Sequence, residues 1–223
     1  MKILVDSADL DAIRDALRTG LVAGVTTNPT LLRRAGVSRS GVPALARAAV
    51  AAGAGEVHLQ AYAEDTPGMI REGLGFVEID PTRIHVKVVA TAAGYSAAAA
   101  LAARGVSVTL TAVYTLNQAL AAQSVGARSI AIYLGRMRDA GADAMELAGR
   151  MQELLQAQGA SVGILAASIR DPSELAELAI RGVASATVAP AILAGLLDSE
   201  ATTRDGAIFT ADAKALTDVL TDA

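Results

Sequence analysis

Val5-Asp6-Ser7-Ala8-Asp9 decides the fold. A short β-rich run, Lys2–Asp6, ends here and a helical pattern begins, yet the turn between them holds no glycine. In an open doubly wound sheet the first strand usually feeds a glycine-rich turn that lets phosphates approach the backbone. Without that turn, the closed (β/α)8 barrel becomes the expected way to arrange parallel strands. The rest of the chain supplies the strands. Further β-rich runs fall at Ala23–Thr27, Glu56–Ala61, Arg83–Val89, Val106–Ala112, Ser129–Leu134, Ser161–Ala167 and Ser185–Val188. They recur about every 20–35 residues with helical patterns between them, the alternation expected of βα units. They are nearly all apolar, as strands buried on both faces should be. Helix signals agree. Ser7 or Asp9 can cap Leu10–Arg18, with Gly20 as a stop, and Ser173 can cap Glu174–Ile180, with Gly182 behind it. Ala97–Ala103, Thr115–Gln123 and Ala142–Gln158 continue the pattern, and Ala211–Leu220 adds a helix beyond the eighth unit. The expectation is an α/β chain: one TIM-barrel domain over 1–223, with 200–223 as a C-terminal helical tail.

Composition bounds the function. Of 223 residues, 52% are hydrophobic and 19% charged, which suits a large core rather than disorder. No apolar run approaches the roughly 20 residues that span a bilayer. Asp6 comes too early for a signal peptide. There is no cysteine, hence no disulfide framework or thiolate, and only His58 and His85 are available as imidazoles, so no histidine-built zinc site is expected. A net charge of -4 and 3% aromatics argue against nucleic acid as a partner. A soluble cytoplasmic protein that binds a small molecule fits these limits.

The run Ile84-His85-Val86-Lys87-Val88-Val89 carries the chemistry. Only three lysines occur: Lys2 sits at the N-terminus and Lys214 in a polar helical tail, and Lys87 alone falls within a stretch apolar enough to be a buried strand. Burial disfavours the charged amine, and a neutral amine can attack a ketone to form a Schiff base. Arginine cannot replace it. The alternative is a snorkelling or ion-paired lysine. In a barrel the active site forms where strands end at their C-terminal side. There the chain places Asp6, then Thr27 and Asn28, Gln60, Lys87, Thr111, Tyr133 with Arg136, and Ser168 with Arg170. Each has an ordinary explanation. Asp6 can cap a helix, Asn28-Pro29 is a common cap and first turn, and arginines are usually solvated. His85 shares a strand face with Lys87 and reads as a core histidine. The weight lies in their common placement.

These residues resemble the small transaldolase and fructose-6-phosphate aldolase family of Schiff-base enzymes. The resemblance rests on Val5-Asp6-Ser7-Ala8-Asp9, Gly24-Val25-Thr26-Thr27-Asn28-Pro29, Val86-Lys87-Val88, Thr111-Ala112-Val113-Tyr114, Asn117-Gln118-Ala119-Leu120, Gly135-Arg136 and Leu165-Ala166-Ala167-Ser168, in family order. It implies a (β/α)8 barrel with no metal and no organic cofactor, acting on a sugar phosphate. It also implies a homo-oligomer, a pentamer or decamer, in which the C-terminal helix reaches a neighbouring subunit. By the same resemblance Lys87 is the Schiff-base lysine and Asp6 its acid/base. Thr27, Asn28 and Thr111 contact substrate hydroxyls, Arg136 and Ser168 hold the phosphate with Arg170 as a helper, and Gln60 and Tyr133 position a water. Gln60 and Tyr133 match the aldolase branch, where transaldolases carry glutamate and phenylalanine; Gly135 matches the transaldolases. Three positions depart from the family pattern: Val89 in place of a proline, Ala93 in place of a glutamate, and Arg138 in place of an acid. They bear on substrate preference more than on the chemistry. Two other readings are a deoxyribose-phosphate type of aldolase, which needs a second active-site lysine, and a sugar-phosphate-binding barrel without turnover.

Overall fold

The computed structural model describes residues 1–220 of the chain. Contacts divide it into a barrel unit, Met1–Leu193, and a second unit that begins at Ala194. The barrel strands are β1 (Lys2–Asp6), β2 (Gly24–Thr26), β3 (Glu56–Gln60), β4 (Ile84–Val89), β5 (Ser107–Val113), β6 (Ser129–Tyr133), β7 (Gly163–Ala167) and β8 (Ser185–Val188). Each pairs in parallel with the next, and β8 pairs with β1 to close the barrel. The helices are α1 (Leu10–Arg18), α2 (Pro29–Arg34), α3 (Val42–Ala51), α4 (Thr66–Val77), α5 (Ala92–Ala102), α6 (Leu116–Ser124), α7 (Leu134–Asp139), α8 (Ala144–Ala157), α9 (Ser173–Ile180), α10 (Pro190–Ala194) and α11 (Glu200–Leu220). The (β/α)8 architecture expected from the spacing is the one observed.

Period-two alternation sorts each strand between two environments. In β4, Ile84, Val86 and Val88 are fully buried on one face, while His85, Lys87 and Val89 occupy the other. The inner volume holds an unusual share of polar side chains. Its apolar part is a small plug of Leu4, Ala131 and Leu165, with Tyr133 packed against it. Leu165 touches a cavity on each side of that plug.

Local signals set the helix starts. Asp9, rather than Ser7, caps α1 by accepting from the N–H groups of Asp11 and Ala12 at 2.9 and 3.2 Å. Ser173 does not cap α9; it is the first helical residue, and its own N–H and hydroxyl donate to Asp171. In the second unit the terminal helix starts at Glu200 rather than Ala211, because Ser199 Oγ accepts from the Thr202 N–H and begins the helix eleven residues earlier. Of the expected tail 200–223, residues 221–223 lie outside the described residues. Among the described residues no helix is long and apolar enough to cross a membrane.

Candidate active site

The C-terminal strand ends enclose a cavity of about 210 Å³. Asp6, Asn28, Lys87, Tyr133, Arg136 and Ser168 all line it. Lys87 is 3% exposed, and its Nζ donates to the Thr27 carbonyl at 3.0 Å. Burial pushes its pKa below the ordinary 10.5, and the nearby Asp6 charge offsets only part of that. Asp6 moves the opposite way: burial raises it, against Lys87, a hydrogen bond from Thr26, and Arg136. Both shifts favour the uncharged forms, an amine able to attack and a carboxyl able to give up a proton. No Asp6–Lys87 ion pair forms; each group has a different partner. Thr26 Oγ1 donates to Asp6 Oδ1 at 2.7 Å and can accept from Thr187 Oγ1 at 2.7 Å. This buried threonine chain fixes the carboxylate.

The opposite wall is built on α7 and the end of β7. Tyr133 ends β6, and its hydroxyl lies 2.5 Å from Thr111 Oγ1. Burial raises the Tyr133 pKa, so the phenol stays protonated. The Arg136 guanidinium lies 4.6 Å from the centre of the Tyr133 ring, a cation–π contact that orients it at the rim. Ser168 follows β7 with a positive φ of 59°, an unfavourable conformation for a residue with a side chain. Its carbonyl accepts from the Gly135 N–H at 3.0 Å. A Cβ at Gly135 would stand 2.6 Å from that carbonyl oxygen and 2.7 Å from Ser168 Oγ. Glycine is therefore required for α7 to approach Ser168 so closely. Across β5, Ala112 has a φ of 60° where the register with β6 shifts. That bulge re-aims the strand just beyond Thr111.

Other expected residues are placed differently. Asn28 lines the cavity but also caps α2, accepting from Leu31 N–H at 3.1 Å with Pro29 in the first turn, so the ordinary reading holds beside the other. Thr27 is buried behind the cavity lining, with its hydroxyl donating to the His58 carbonyl and its own carbonyl accepting from Lys87. Thr111 is likewise buried and committed to Tyr133. Gln60 lies opposite Lys87 in the strand register, yet it lines a neighbouring cavity with Tyr62 and Thr91, apart from Tyr133. Arg170 is not in the cavity wall: its guanidinium pairs with Asp139. Arg138, where the family pattern has an acid, pairs with Glu174 at 2.7 Å.

Sequence reasoning missed three members. Arg34 and Thr30 of α2 line the cavity, and among the described residues the Arg34 side chain has no ion-pair partner. Thr187 enters from β8. A signal existed for Arg34: it lies six residues beyond Asn28, on the short helix that leaves β2. Among the described residues one cluster, Glu56, His58 and His85, brings metal-type ligand atoms within 4.8 Å of one another. It lies at the other mouth of the barrel, away from Lys87's cavity.

With this geometry in hand, comparison with known proteins is informative. The family model described as Transaldolase/Fructose-6-phosphate aldolase matches residues 3–222. A "Probable transaldolase" of Geobacillus thermodenitrificans is 36% identical over 212 residues, covering 95% of this chain and 98% of that protein. One from Heliobacterium modesticaldum is 36% identical over 188 residues, covering 84% of this chain and 86% of its own. Among solved structures, a mandelate oxidase superposes with a TM-score of 0.61 at 16% identity, over 91% of this chain and 70% of its own. At that identity the likeness is one of fold alone.

Proposed function

The chain belongs to the transaldolase/fructose-6-phosphate aldolase family and is a Schiff-base-forming enzyme of that family, and from this we propose that it catalyses the reversible aldol cleavage of a ketose phosphate such as fructose 6-phosphate to dihydroxyacetone and an aldehyde. Neutral Lys87 Nζ attacks the ketose carbonyl carbon. The carbinolamine loses water as its hydroxyl is protonated, leaving an iminium. Asp6 carries the proton for this step, held in place by Thr26. Asp6, now a carboxylate, takes the proton of the hydroxyl two carbons from the iminium carbon; as the aldehyde forms there, the bond to that carbon breaks into the iminium, the aldehyde leaves and an enamine remains. A proton added to the enamine carbon restores an iminium, and water then releases dihydroxyacetone and Lys87.

The phosphate end of the substrate belongs with Arg136 and Ser168, a guanidinium and a hydroxyl in the cavity lining, and Arg34 adds a second guanidinium to that lining. Guanidinium forks suit phosphate oxygens. Binding a group that does not react orients the one that does. The enzyme needs no metal or organic cofactor in this scheme. We place it in the cytoplasm, where charged, membrane-impermeant sugar phosphates are retained. We assign α11 to contacts between subunits of a homo-oligomer, a pentamer or decamer.

The observation that carries the aldolase reading is Tyr133. Its side chain lines the cavity with Lys87, and its hydroxyl is held by Thr111. A phenol can donate to and accept from an attacking water, which phenylalanine cannot. Transfer of the dihydroxyacetone unit to a second sugar phosphate is the second reading, favoured by the names of the relatives and by Gly135. The test feeds fructose 6-phosphate to the enzyme with and without erythrose 4-phosphate and measures free dihydroxyacetone and transfer product together. The aldolase reading expects free dihydroxyacetone without an acceptor, and less of it in Tyr133→Phe. Transfer product alone, or a ratio unmoved by Tyr133→Phe, assigns the enzyme to transaldol transfer.

A further inference from the structure

The N-terminal mouth of the barrel holds a second cavity of about 210 Å³, separated from the first by the plug that includes Leu165. A barrel's N-terminal face is ordinarily a stability face, closed by packed side chains. Here it is lined by Lys2, Glu56, His58, His85, Arg128 and Ser185, among others. Two buried atoms stand out. His58 Nε2 and His85 Nδ1 have no hydrogen-bond partner, although His58 is only 3% exposed. The other nitrogens are committed. His58 Nδ1 lies 3.1 Å from Thr109 Oγ1, which in turn meets Ser129 Oγ, and His85 Nε2 lies 3.5 Å from Glu56. Buried polar atoms are normally satisfied, so two unpartnered imidazole nitrogens in the wall of one charged cavity mark it as a place that can take a polar ligand.

A metal is the first occupant to consider, and the geometry argues against it. The two rings are stacked, with centroids 4.4 Å apart and planes 22° from parallel. Imidazole lone pairs lie in the ring plane, so the lone pairs of stacked rings run side by side instead of meeting at one ion. The charge balance also opposes a cation. Lys2 and Arg128 face one carboxylate, Glu56, and Lys2 and His85 already share that carboxylate at 3.5 Å. Among the described residues the Arg128 guanidinium has no acceptor. We propose that this cavity is a binding site for a phosphate-type oxyanion, held by Arg128 and Lys2 at the mouth and by the His85 ring within. Groups facing the imidazoles are Lys2 on β1, Glu56 on β3, Lys87 on β4 and Arg128 ahead of β6. Burial together with these cations holds both histidines below their ordinary pKa, against Glu56 at His85. An oxyanion reverses the local potential and draws a proton onto the His85 ring.

The test uses the fact that the chain has two histidines and both are here. Whole protein labelled with [15N]histidine is titrated with inorganic phosphate in one arm and glycerol 3-phosphate in another, with imidazole nitrogen shifts read by NMR. The site predicts a saturable shift toward the imidazolium form in at least one arm, and the tighter arm identifies free phosphate or a phosphate monoester as the source. Arg128→Gln, at an exposed position, weakens that response by about tenfold or more, as loss of a charge-assisted contact does; Lys2→Gln serves if it does not fold. Arg136→Gln, in the other cavity, leaves the response intact, so failure of the proposed reaction and failure of this site are read separately. Histidine signals unmoved by both anions, an equal response in Arg128→Gln and Lys2→Gln, or a response to Zn²⁺ with none to phosphate would each overturn the assignment.

Discussion

β4 places Lys87 in a buried, water-poor part of the barrel. The native state binds its proton less tightly than the unfolded chain does, because burial lowers its pKa below 10.5. Between the lowered value and 10.5 the unfolded state therefore holds more protons, so stability from this group rises with pH and its penalty is complete below that window. Lys87→Met removes the penalty. It should fold at least as stably as the parent at pH 7, by about 1 kcal/mol or more, with the gain vanishing as pH passes 10.5. Urea melts at pH 7 and pH 10.5 check this; a variant less stable at pH 7 contradicts it. Thr26→Val removes the hydrogen bond that opposes the upward shift of Asp6. The limb of its rate profile where activity falls as Asp6 loses its proton should move to higher pH, and an unmoved limb would take Thr26 out of the relay. Lys87 and Asp6 were legible because strand ends can be read from sequence. Thr187 was not, because it meets Thr26 across 161 residues and only when β8 closes on β1. Arg170 looked available for the same reason: nothing local announces Asp139, 31 residues away.

At the scale of elements, the junction of β7 with α7 shapes the wall proposed to hold the phosphate. Gly135→Ala places a methyl group against the Ser168 carbonyl. Overpacking of this kind costs about 1–3 kcal/mol. Because Ser168 moves with it, KM for a phosphorylated sugar should rise more than KM for its unphosphorylated analogue, and equal changes would separate this junction from phosphate binding. The strands were legible to within a residue or two, since each is a short, largely apolar run between helical patterns. Short helices such as α2 and α7 were harder. α7 begins directly at the end of β6 with no turn residues to mark it, and α4 carries Pro67, Gly68, Gly73 and Gly75, which read as breaks.

On the scale of the whole molecule, the barrel follows from the periodic recurrence of βα units, and closure follows from the pairing of β8 with β1. The tail is set apart by composition. Its Thr202-Thr203-Arg204-Asp205-Gly206 stretch resembles a loop by propensity, which hid about the first three turns of α11. That helix exposes Ile208, Phe209 and Leu216, with Phe209 70% accessible, an apolar face suited to a neighbouring subunit. Sedimentation should give a mass five or ten times 22.6 kDa for the parent and a smaller species for Phe209→Glu; an unchanged mass removes α11 from the interface. The central claim remains that this barrel works through an imine on one lysine, and it can be tested by mass. Protein incubated with fructose 6-phosphate and reduced with borohydride should gain one adduct, and peptide mapping should find it on Lys87. No covalent mass, or an adduct on Lys2 or Lys214 with Lys87 unmodified, would contradict the account.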